Sequence, residues 1–194
     1  MMPSCEVNQL ATCLKDGAEM LSAYEVRLKP ERRWSEDLLQ LLGELKAIES
    51  VEELKAFIVR HRRGLFGGMG SLLDLVIGPE NGHVAHDFRK ANEQLDAFRQ
   101  RLYVAWQAIR KRIGCLCSVK TEFWGSEHDA PVELNTQFQA LTAQGDGELL
   151  FRCQTCGTLW EKTHLPPDEH GRVRNPQMKR VTAENVRQKY GLEP

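Results

Sequence analysis

Apolar residues recur at helical spacing through the first 114 positions of the chain and change their pattern after that point. Val7, Leu10, Leu14, Leu21 and Tyr24 are separated by three, four and seven positions, which puts them on one face of a first helix. Trp34, Leu38, Leu41, Leu42, Leu45 and Ile48 repeat the pattern behind Pro30. Proline suits a first helical turn, where its missing N–H would have no partner anyway. Ser50-Val-Glu-Glu53 has the form of a capping box and opens a third helix that turns Leu54, Phe57 and Ile58 inward. The longest stripe is Phe88, Ala91, Leu95, Phe98, Leu102, Ala105, Ile109 and Ile113. It runs through about seven turns of a fourth helix. Four helices with one apolar face each are expected to pack as a bundle.

GLFGGMGSLLDLVIGPENGH, residues 64 to 83, separates the third and fourth helices. Its glycines lack the G-x-x-x-x-G-K-[ST] order of a phosphate loop, and no strand precedes them as a dinucleotide fingerprint requires. The segment reads as a structural loop with positive-φ glycines, followed by a short apolar run of Leu72, Leu73, Leu75, Val76 and Ile77. Arg60, His61, Arg62 and Arg63 just before it either complement the carbonyl end of the third helix or form a solvated basic face.

After Gly114 the apolar runs become short. Residues 147 to 152 and 158 to 163 are strand-like and flank a turn as the arms of a hairpin. Pro166, Pro167, Gly171 and Pro176 mark a loop, and Met178 to Val181 a last strand. Thr182 is an N-cap for a short helix ending before Gly191.

The hairpin turn is Cys153-Gln-Thr-Cys156-Gly157. Two thiolates at this spacing point to one side of a tight turn, and the glycine accepts the positive φ that closes it. A second pair, Cys115 and Cys117, stands where the helical region ends, with 35 residues between Cys117 and Cys153. Four thiolates from two separated pairs make a closed site for structural Zn2+, with His128, His164 and His170 as reserve ligands. A redox pair, a disulfide and unliganded thiols remain alternatives. A redox C-x-x-C would open a helix after a strand rather than sit in a hairpin turn. Zinc would also supply folding free energy to a module with few large apolar side chains. The expected architecture is therefore α+β: a helical bundle over residues 1–114, then a zinc-ribbon-like β module with a terminal helix over 115–194. Cys5 and Cys13 have no partner spacing and read as small buried or half-buried hydrophobes.

Composition narrows the function. A hydrophobic fraction of 41% and a charged fraction of 27% are ordinary for a soluble globular protein. No apolar run approaches the roughly 18 residues that span a bilayer, and the N-terminus lacks the basic-then-apolar pattern of a leader, so the expected location is the cytoplasm. A net charge of −1 argues against general nucleic-acid affinity. The charge is uneven, however. Residues 122 to 161 carry seven acids and one base, net −6, and residues 162 to 189 seven bases and three acids, net +4. These are either two solvated faces or an acidic surface that captures a basic partner.

No catalytic residues are expected. His83-Val-Ala-His86 lacks the glutamate of H-E-x-x-H and reads as an exposed helix start. No serine sits in G-x-S-x-G. Asp168, Glu169 and His170 lie together only in a Pro-rich loop, and a closed Cys₄ site has no open coordination position for substrate.

Two stretches resemble known families. LKAFIVRHRRGLFGGMGSLLDLVI followed by ANEQLDAFRQRLYVAWQAI is similar to a bacterial helical domain with a G-x-F-G-G-M-G-S-L-x-D-L signature and a following N-x-x-L. The matching positions are Gly64, Phe66 to Leu72, Asp74, Leu75, Asn92 and Leu95, and that domain is often linked with contact-dependent competition loci. LFRCQTCGTLWEKTHLPPDEHGRVRNPQMKRVTAENVRQKYG resembles the immunity protein 27 family of polymorphic toxin systems. Cys153, Cys156, Gly157, Trp160, Glu161, Glu169, His170, Gly171 and Tyr190 carry that likeness, while Arg172-Val-Arg174 replaces the glycines expected after it. The resemblance implies a non-enzymatic cytoplasmic protein that binds and neutralises a cognate toxin. If that toxin is a basic nuclease, the acidic residues Glu122, Glu127, Asp129, Glu133, Asp146 and Glu148 would mimic its nucleic-acid substrate, with Glu169 and His170 as further partner-binding positions. The competing expectation is a zinc-ribbon nucleic-acid-binding or transcription-associated protein using the basic stretch 162–189.

Overall fold

A computed structural model describes residues 5–29, 33–67, 69–119, 122–124, 138–144, 148–163, 169 and 177–193. The chain divides into two compact units, Met1–Ile113 and Gly114–Pro194. The first is helical and the second is built on an antiparallel sheet, so the protein is α+β.

The first unit contains α1 (Cys5–Ser22), α2 (Trp34–Lys46), α3 (Val51–Phe66) and α4 (Phe88–Ile113). The stripes read from the sequence form its core: Leu10, Leu14, Leu21, Leu38, Leu45, Ile58, Leu95, Phe98 and Leu102 are almost wholly buried. α1 packs on both α2 and α4. Gly17 permits the second of these contacts, since a Cβ at that position would collide with the Phe98 ring. Trp106, beside the stripe rather than on it, is also buried and meets Phe57 and Phe66 with ring centroids 6.0 and 5.4 Å away. Tyr24 lies beyond the end of α1, where its hydroxyl donates to Gln94 Oε1 at 2.5 Å. Cys13 is buried, but Cys5 is exposed at the first position of α1, contrary to its reading as a half-buried hydrophobe.

The capping box of Ser50 and Glu53 forms as expected. The start of α2 is capped differently. Pro30 lies outside the described residues, and the Glu25 carboxylate accepts from the backbone N–H groups of Trp34 at 2.9 Å and Ser35 at 3.0 Å. Glu25 is 1% exposed, so its charge is compensated by two orphan donors and the positive end of the helix. The two histidines also differ from expectation. Both precede α4, His83 buried and His86 exposed, and the first turn of α4 is capped by Asp87, whose carboxylate accepts from Lys90 N at 3.0 Å.

The glycine segment is a structural connection. Gly70 takes φ +82°, Ser71 and Asp74 close a capping box around a 3₁₀ turn at Leu72–Asp74, and Leu72 and Ile77 are buried. α4 grips it from below. The Arg99 guanidinium donates to the carbonyls of Leu72 and Leu75. Asn92 pairs with both backbone groups of Ile77, its Oδ1 accepting from N at 3.0 Å and its Nδ2 donating to O at 2.7 Å.

In the second unit β1 (Glu122–Trp124), β2 (Phe138–Gln144), β3 (Glu148–Cys153), β4 (Leu159–Thr163) and β5 (Gln177–Val181) form a sheet of order β1-β5-β4-β3-β2. Every neighbouring pair is antiparallel. A helix, α5 (Ala183–Tyr190), follows. The hairpin β3–β4, the strand β5 and the Thr182 cap match the sequence reading; β1 and β2 were not anticipated. One face of the sheet carries Phe138, Phe151, Trp160 and Met178 and buries them with three cysteines. The other carries Leu150 and Leu159, covered by Val186, with Tyr190 and Leu192 packed alongside. Among the described residues, no helix is long and apolar enough to cross a membrane.

Candidate metal centre

The chain reaches the sheet through Cys115-Leu-Cys117, directly after α4, and meets the turn between β3 and β4. That turn is closed by two backbone bonds. Cys153 N donates to Thr158 O at 2.9 Å and Gly157 N to Cys153 O at 2.8 Å, with Gly157 at φ +75°. Positive φ at this position lets the chain double back within four residues, as the glycine after the second cysteine foreshadows. The sulfur atoms of Cys115, Cys117, Cys153 and Cys156 all lie within 4.8 Å of one another. Four thiolates about 2.3 Å from one tetrahedral ion would stand about 3.8 Å apart, so the sulfurs are close enough for one ion to gather them. Cys115, Cys117 and Cys153 are buried and Cys156 is exposed.

Hydrogen-bond donors converge on these sulfurs. The Cys117 N–H donates to Cys115, and the buried Trp160 side chain beside Cys117 favours its thiolate. The Thr158 hydroxyl, 3.0 Å away, and the Thr158 N–H donate to Cys156. Without a cation the four groups share charge poorly. Burial pushes the Cys117 thiol far up, the Cys153 sulfur adds to the rise, and the Trp160 side chain only partly opposes it. Burial also raises Cys115. For Cys156 burial acts upward as well, but the Thr158 donors and the thiols of Cys115 and Cys153 outweigh it and bring it down to about 7. A bound cation reverses this balance, because it stabilises all four thiolates at once. Four soft donors close together, with N–H groups directed at sulfur, suit a thiophilic metal ion. The four cysteines can hold one.

The remaining residues singled out in the sequence divide into three groups. Glu127, Asp129, Glu133, Asp146 and His170 lie outside the described residues, as do His128 and His164. Glu169 is an exposed turn residue. Glu122 and Glu148 sit in strands, Glu122 in register with Lys179 of β5 and Glu148 with Gln144 of β2. Lys179 is in turn in register with Glu161 of β4. The acidic and basic stretches thus meet across the sheet at Glu122, Lys179 and Glu161, which local sequence could not reveal.

Glu161 anchors α5. Its Oε1 accepts from Tyr190 Oη at 2.5 Å and Lys189 Nζ at 2.9 Å. Burial pushes the Glu161 carboxyl up, but these two donors and Lys179 outweigh it and hold it below the usual carboxylate range. Arg180, next along β5, donates to the Cys117 carbonyl at 2.9 Å. Spacing alone singled out neither Trp160, buried against the cysteines, nor Arg180.

Residues 27–86 match a family model described as a domain of unknown function (DUF6966). The match spans α2, α3 and the glycine connection, under half of the chain, and stops short of the cysteines. No curated protein and no solved structure matches the chain.

Proposed function

We propose that the protein is a non-enzymatic cytoplasmic immunity protein that binds and neutralises a cognate toxin, with its β module stapled by a structural zinc ion. The observation that carries the reading is the way the second unit assembles. Cys153, Cys156, Gly157, Trp160, Glu161 and Tyr190, six of the nine positions that carry the resemblance to the immunity protein 27 family, serve one construction of knuckle, buried aromatic neighbour and helix anchor. Four sulfurs closing on one another favour a metal that holds architecture, since a catalytic ion keeps a coordination position open. Zinc is the natural occupant of a four-thiolate site in a reducing compartment, with iron the competitor for the same donor set.

The nucleic-acid reading is weaker on its own residues. Arg180 is engaged by Cys117, Lys189 by Glu161 and Arg187 by Glu193, and Lys179 lies between two acids in the sheet register. Phosphate contacts would have to compete with these partners.

The test is purification of the tagged protein from its native bacterium, followed by co-expression with whatever binds stoichiometrically. A single partner with a toxin-like domain, whose toxicity in a bacterial host is relieved by this chain, supports the reading. Recovery of nucleic acid, polymerase subunits or ribosomal proteins transfers it to the zinc-ribbon regulator. Metal analysis of the purified chain separates zinc from iron.

A further inference from the structure

The four sulfurs of the cluster are unequal in access. Cys153 is 0% exposed, Cys117 1% and Cys115 7%, whereas Cys156 rides on a protruding turn in which Gln154, Thr155 and Gly157 are exposed with it. An incoming reagent therefore meets one sulfur first. Beneath that sulfur, within 4.8 Å, stand three others able to complete a second step. Cys5 offers the contrast: it is exposed too, but belongs to no sulfur cluster among the described residues.

We propose that Cys156 is an oxidative modification site, the point at which hydrogen peroxide opens the thiolate cluster and releases its metal. This rests on the reading of the cluster as a metal centre. Metal-bound cysteines are thiolates, and the thiolate is the nucleophile. The Cys156 sulfur attacks one peroxide oxygen, an S–O bond forms as the O–O bond breaks, and hydroxide leaves. Sulfur has lost two electrons and the peroxide has gained them, giving a sulfenic acid. A neighbouring thiolate from Cys115, Cys117 or Cys153 then attacks Cys156, the S–S bond forms, and a second hydroxide leaves. Two protons from solvent convert both hydroxides to water. The net change is two thiolates, one peroxide and two protons to one disulfide and two waters. The metal loses two of its four ligands and with them the closed site. Reduction by a thiol restores both ligands, so the modification is reversible.

The experiment uses the full chain as isolated, with its metal content measured first. Limiting N-ethylmaleimide followed by peptide mapping ranks the thiols. Hydrogen peroxide, added in steps with a colorimetric chelator present, then reports metal release. Cys156 is expected to react about tenfold faster than any of the three buried sulfurs, as access dictates. One equivalent of peroxide should release one equivalent of metal and yield a disulfide containing Cys156, and dithiothreitol with added metal should rebuild the site. Alkylation of Cys5 alone should release none. First reaction at a buried sulfur, or metal retained after Cys156 is oxidised, overturns the proposal. A chain isolated without metal overturns the metal reading itself. In that case the disulfide map still decides, because absence of a Cys156 disulfide removes the modification site as well.

Discussion

Arg180 donates from its Nη1 to the backbone carbonyl of Cys117 at 2.9 Å, so the last strand in chain order holds the C-x-C turn from outside the sulfur cluster. Strand β5 and the cysteines are thereby one mechanical unit. Chelation of the metal should release both together: β-sheet signal and the burial of Trp160 are lost cooperatively, while the far-UV helical signal of α1–α4 persists. The double variant Cys153→Ser, Cys156→Ser should show the same pattern, and a fully ordered sheet in that variant would remove the metal assignment. Arg180→Ala should leave the metal bound and lower the stability of the β module by about 1 kcal/mol, the worth of a half-buried charged hydrogen bond. Urea unfolding followed by tryptophan fluorescence and metal release measures both.

Glu161 gives the β module a dependence on acid. Its carboxyl is held below the usual range by Tyr190 and Lys189 despite its burial. A depressed carboxylate contributes stability that is complete above its unfolded pKa and is lost as pH falls through the lower folded value. Wild-type protein should therefore lose the Glu161 contribution only in acid, below the ordinary glutamate range. Glu161→Gln should be less stable than wild type near neutrality, by roughly 0.5–1 kcal/mol for a partly exposed pair. The two should converge at low pH. Melting curves at several pH values test this, and a constant difference across the acid range would mean that the charge is not the origin.

Much of this construction could be read from the chain because the informative spacings are short. The stripe of α4 repeats every three or four residues, and the knuckle is complete within Cys153 to Gly157. Where the signal is long-range the sequence is silent. The cap of α2 comes from Glu25, nine residues before Trp34, and glutamate is not a usual capping residue. Trp106 falls off the 3-4 stripe yet is buried by Phe57 and Phe66 from α3. Strand β2, FQALTAQ, has few large apolar residues, so its place at the sheet edge comes from pairing with β3 rather than from its own pattern. The meeting of the two charged stretches needs the register Glu122–Lys179–Glu161, which joins positions 57 and 18 residues apart.

Asn92 is where the glycine connection meets α4 most specifically. Its amide satisfies the N–H and the C=O of Ile77 together and also donates to Phe88 O at 2.8 Å. Asn92→Asp keeps the acceptor but cannot donate, leaving both carbonyls without that partner and setting a carboxylate against them. A loss of about 2 kcal/mol is expected from the helical unit. Hydrogen exchange at residues 72–78 should rise well beyond that at the centre of α4. Uniform acceleration across the unit would indicate general destabilisation instead of a released connection.

The capture of a basic toxin by acidic residues is tested by charge reversal at positions outside the described strands. Glu122 is unsuitable, because reversing it would set two lysines in register across β1 and β5, and like charges directly opposite destabilise a sheet. Glu127, Asp129 and Glu133 are the better targets. Their triple reversal to lysine should weaken the complex by at least about tenfold, mainly through slower association, and should flatten its dependence on salt. Association kinetics at low and near-physiological ionic strength, alongside survival of toxin-expressing cells, provide the readout. Unchanged rates and unchanged protection would rule out electrostatic mimicry while leaving neutralisation through another surface intact. Loss of protection with normal metal content and an unchanged melting curve would place the partner on the acidic stretch.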